Sequence, residues 1–166
     1  MKKVLAVLLV FSAYSLSAQE APRAVLSDTW VENFISNWDA VNNAMSELNE
    51  EEGDMAAALT RFVTALAACL EDTPPNFAEY RASFLALRNT RLPPEGEKIF
   101  TRYGVETDAF WVCMMGFLLL SLEKKYYDLQ EILAERGTEL RQIIHPGDFT
   151  VLEKNFDRLY VIFGDM

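Results

Sequence analysis

From Leu26 to Leu48 the large apolar residues are Trp30, Phe34, Trp38, Val41, Met45 and Leu48, in steps of three and four. That spacing lays one stripe along a helix and leaves the acids of the segment on its other faces. Ser27 or Asp28 suits the N-cap, and Asn49 to Gly53 ends the element. Asp54 can cap a second helix from Met55 to about Leu70, with Leu59, Phe62, Leu66 and Cys69 as its stripe. Thr73-Pro74-Pro75 stops it, because proline lacks an amide hydrogen and disfavours helical backbone in the residue before it.

A third helix follows from about Asn76 to Arg88, carrying Phe77, Tyr80, Phe84 and Leu87 inward. After Pro93-Pro94 a short helix runs from Glu95 to Arg102, with Gly104 as its C-terminal stop. The longest element is predicted from Ala109 to about Glu135, capped by Thr107 or Asp108. Its first half is apolar all round; its second half has Tyr126, Leu129 and Leu133 as a stripe, and Gly137 ends it. A short piece then holds Leu140, Ile143 and Ile144, and His145-Pro146-Gly147 turns the chain. Asp148 is expected to cap a final helix bearing Phe149, Leu152, Phe156, Leu159 and Phe163. No alternating strand pattern and no repeat is present. Short connections favour antiparallel neighbours. The expected fold is all-α, an antiparallel bundle of about five to six helices around a central apolar helix near 109–135.

The first residues read differently. Lys2 and Lys3 precede the apolar run Val4 to Phe11, and small residues follow to Ala18. This order of positive, apolar and small segments is that of a secretory signal peptide, and the run is short of the roughly 20 residues of a membrane span. The expected organisation is a cleaved signal over 1–18, with the cut after Ala18 or Ser17, and one helical domain over 19–166. No Cys lies near the cut, so a lipoprotein is not expected. The chain would then be secreted or periplasmic, with a bacterial-type Sec signal.

Charge narrows the partners. The 166 residues carry 15 Lys and Arg against 25 Asp and Glu, a net of −10. That excludes a sequence-independent hold on nucleic acid, which depends on neutralising phosphates, and disfavours anionic lipid. The imbalance is local: between Ala24 and Thr60 stand Asp28, Glu32, Asp39, Glu47, Glu50, Glu51, Glu52 and Asp54 with no Lys or Arg. The acidic face of the first helix, Asp28, Glu32, Asp39 and Glu47, is the candidate surface for a protein partner with a basic surface. The one basic concentration is Arg81, Arg88, Arg91, Lys98 and Arg102. Arg81, Arg88, Arg91 and Arg102 are candidates for holding a carboxylate or phosphate, against the plainer reading of pairing within the chain or solvation.

Other chemistry is sparse. Cys69 and Cys113 both fall at inward positions; in an oxidising compartment an even pair suggests a disulfide, and the alternative is two buried thiols. The single His, His145, sits in a Pro-Gly turn and reads as a helix-end partner rather than a ligand or base. The aromatic residues fit a core or the wall of an apolar pocket. The acidic run from Glu47 to Asp54 lacks the ligand pattern of a calcium loop, and no metal site, cofactor motif or catalytic signature is present. The run Ala109 to Leu122 spans only about 21 Å as a helix, so stable membrane insertion is not expected. The oligomeric state is left open. The leading expectation is a non-catalytic secreted or periplasmic protein binding a macromolecule through its acidic face. The alternative is a binder of a small hydrophobic or anionic ligand; the third is a small all-α enzyme of the secreted chorismate-mutase sort.

Overall fold

The structure, a computed structural model, describes residues 22–46, 54–72 and 74–163. The signal segment 1–18 and the acids Glu47, Glu50, Glu51 and Glu52 lie outside the described residues. Among the described residues there are seven α-helices, a short 3-10 turn and no strand. They are α1 Asp28–Ser46, α2 Asp54–Glu71, α3 Phe77–Asn89, α4 Pro94–Tyr103, α5 Thr107–Lys125, α6 Gln130–Arg141 and α7 Pro146–Phe163. The result is an all-α helical bundle.

The early boundaries follow from their local chemistry. The Ser27 hydroxyl accepts the Trp30 amide at 3.1 Å and starts α1. The Asn76 side chain accepts from the Glu79 amide at 3.1 Å and starts α3 after the Pro-Pro break. Gly104 ends α4 in the left-handed region at φ 63°, which lets the Val105 amide reach Phe100 O at 2.9 Å.

The bundle is organised around α5, which packs on α3, α6 and α7. On one flank α1 packs on α4 and α7; on another α2 packs on α3 and α6. Most of the apolar run of α5 is buried, including Trp111, Val112, Cys113, Phe117, Leu119 and Leu120. An all-round apolar helix needs neighbours on every side, and this one has them. Gly116 permits the closest of these approaches: a Cβ there would meet Leu152 Cδ1 of α7 at 2.3 Å. The aromatic residues join α1, α5 and α7 into one packed cluster. Phe34 stacks on Trp30 at 5.1 Å, Trp38 meets Phe163 edge-on at 4.9 Å, and Phe117 lies 5.3 Å from both Phe156 and Phe163.

Four expectations need correction. Neither Thr107 nor Asp108 caps α5: both lie inside it, and Glu106 stands at the N-cap without a side-chain cap bond. The helix predicted over 109–135 is two helices. α5 closes when the Tyr126 amide bonds Leu122 O, and the Gln130 side chain donates to Glu123 O at 2.7 Å before α6 begins. Gly137 does not end a helix; it is buried inside α6, which carries Leu140 as well. Nor does Asp148 cap the last helix. His145 O accepts the Asp148 and Phe149 amides, and His145 Nδ1 accepts the Gly147 amide at 3.0 Å. The buried Asp148 carboxylate instead accepts the Leu26 amide at 2.8 Å and the Val25 amide at 3.0 Å, fastening the segment before α1 to the start of α7.

Candidate functional site

The four candidate arginines are not brought onto one ligand. Arg88 clasps Asp108 at the start of α5 with both ends of its guanidinium, at 2.5 and 2.7 Å. Arg81 turns the other way, to Gln142 at 3.0 Å and Glu139 at 3.5 Å near the end of α6. Arg91 and Arg102 are exposed and make no ion pair among the described residues. Arg81 and Arg88 are thus committed to separate carboxylates at the two ends of α3.

The acidic face of α1 is partly neutralised from within. Lys154 of α7 donates to Asp28, Asn155 Nδ2 donates to the same carboxylate at 3.1 Å, and Arg158 lies 3.7 Å from Glu32. The bond from the Lys154 ammonium, with the Asn155 amide second, holds Asp28 below the usual carboxylate range. Asp39 is exposed and has no such partner among the described residues, and Glu47 lies outside them.

Cys69 and Cys113 are free thiols in the structure, each fully buried, rather than the two halves of a disulfide. Burial raises both above the ordinary thiol range, with nearby Arg136 partly offsetting the effect at Cys69. Unreactive core thiols are the chemical consequence. Arg136 itself crosses from α6 and donates through Nη1 to Cys69 O at 2.7 Å and Asp72 O at 2.9 Å. It satisfies carbonyls that the end of α2 leaves without helical partners.

A shallow concavity of about 410 Å³ lies at the α4–α5 corner, lined by Glu97, Phe100, Thr101, Gly104, Val105, Glu106 and Thr107. Glu106 accepts the Trp30 indole N–H at 2.5 Å. The lining has two carboxylates and no basic side chain, which is the wrong sign for an anionic ligand.

The least ordinary surface is the outer side of the α2–α3 hairpin. On α2 the exposed positions include Ala56, Ala57, Thr60, Thr64 and Ala67; on α3 they include Ala78, Ala82 and Ala86. Val63 and Leu85 are 47% and 49% exposed. Helical positions advance about 100° per residue, so Val63 stands roughly 200° round from Arg61. Arg61 reaches α3 through Glu79 at 2.8 Å, which puts Val63 on the edge of α2 away from α3. Between Met55 and Leu70, Arg61 is the sole charge. A solvent-facing helix ordinarily carries charged residues outward. The signal was present in the sequence as that lone Arg61, but the inward stripe of Leu59, Phe62, Leu66 and Cys69 drew the reading to the opposite face.

Compared with known proteins, the chain matches no family model, no curated protein and no solved structure. Among the described residues no group of three or more His, Cys, Asp or Glu is placed to hold a metal ion, and no single helix is long and apolar enough to cross a membrane.

Proposed function

We propose that this protein is a non-catalytic helical module that works by binding a macromolecular partner, and that the outer side of α2–α3 is the surface that binds. One observation carries the proposal: α2 has the composition of a core helix and keeps one whole face in water. Exposed apolar surface marks interaction sites in soluble proteins, and Val63 and Leu85 stand 47% and 49% exposed beside the Ala positions of this side. The acidic 24–60 region supplies orientation and encounter rate rather than contact area, since Asp28 and Glu32 already have cationic neighbours on α7. Export through the leading segment belongs to the same proposal, so the partner is met in the periplasm or outside the cell.

Site-specific photo-crosslinking in the native compartment tests it. A crosslinker at position 64, on the outer face of α2, is expected to give a discrete heavier adduct. A crosslinker at position 39, on α1, is expected to give little. Adducts from 39 alone would move the binding surface to the acidic face, and adducts from neither would remove partner binding as the reading.

A further inference from the structure

We draw no further inference here: the strongest candidate, the shallow concavity at the α4–α5 corner with the carboxylates of Glu97 and Glu106 on its wall, carries nothing, because both residues are exposed, Glu106 already accepts the Trp30 indole N–H, and no second feature among the described residues there points to a ligand.

Discussion

Helices α5 and α2 have nearly the same chemistry and opposite surroundings. The stretch Ala109 to Leu122 of α5 carries no charge, and Met55 to Leu70 of α2 carries one. The fold surrounds α5 with α3, α6 and α7, whereas the main neighbours of α2 among the described residues are α3 and α6. The difference is written in side-chain size rather than polarity. α5 is built of Phe, Trp, Met and Leu, whose exposure to water would be costly at about 25 cal/mol per Å². The outer face of α2 is Ala and Thr, which expose little apolar area each. A helix can therefore leave an uncharged face in water without unfolding the domain, and that face remains available for contact.

The sharpest way to break the comparison is to shorten one side chain on each helix. Leu120→Ala in α5 removes a buried side chain and is expected to lower unfolding free energy by about 2–5 kcal/mol. Val63→Ala in α2 is expected to stay within about 0.5 kcal/mol in the monomer. Denaturant unfolding at low protein concentration measures both. Equal losses would mean that Val63 is packed, and the free face would not exist.

The end of α2 provides the next test. Arg136→Met keeps most of the side-chain volume but leaves the carbonyls of Cys69 and Asp72 without their donor. A loss of roughly 2–3 kcal/mol is expected, since a buried acceptor left unsatisfied keeps its full desolvation cost. Hydrogen exchange should report the loss first in the last turn of α2. Exchange that accelerates uniformly across α5 and α2 would show that α2 is no more loosely held than the core.

The two thiols compare the helices directly, because Cys69 is on α2 and Cys113 on α5. Both are buried and held above the ordinary thiol range, so both must be uncovered before they react. Local opening costs less where fewer neighbours must separate. Cys69 is expected to label faster than Cys113 by about tenfold, a difference of roughly 1.4 kcal/mol in opening free energy. Mass spectrometry after timed alkylation gives the two rates. Equal rates would place α2 inside the same cooperative unit as α5. Two thiols lost as a pair without reductant would instead reveal a disulfide.

What could be read from the sequence divides along a physical line. Breaks made by local chemistry were legible: the Pro-Pro stops, Gly104, and a cap at Ser27 or Asp28, of which Ser27 is the one that bonds, all act within a few residues. The break at Tyr126 was not, because Tyr-Tyr-Asp-Leu contains neither Gly nor Pro; the Gln130 side chain closes the end of α5 in their place. Asp148 looked like a cap because it stands two residues after a Pro; its carboxylate serves amides 122 and 123 positions away. The same limit applied to the candidate site. Arg81 and Arg88 share a face of α3, but only tertiary structure gives them separate carboxylates on α6 and α5. The outer face of α2 was legible in principle, since it needs only the observation that one charge in a half-exposed helix is too few.

The smallest effect concerns α1, the other flanking helix, whose exposed face is polar. If its acids serve the fold, they are less available to a partner, and the uncharged side of α2–α3 stands out further. Asp28 is the test, because Lys154 and Asn155 hold its folded-state pKa below the ordinary value of 3.8. A carboxylate depressed in the folded state adds stability that is fully present above its unfolded pKa and lost as pH falls through the folded value. Asp28→Asn is therefore expected to be slightly less stable than wild type near neutral pH. That deficit should shrink as the solution is acidified through about pH 4 and below, where the wild-type carboxylate also takes up its proton. Added salt should shrink the neutral-pH deficit as well, since the pair is open to solvent. Asp39→Asn is the control on the same helix, and its difference from wild type should stay near zero across the range. A deficit for Asp28→Asn that is independent of pH and salt would mean that the side chain acts by packing. The acids of α1 would then be as free for a partner as their charge first suggests.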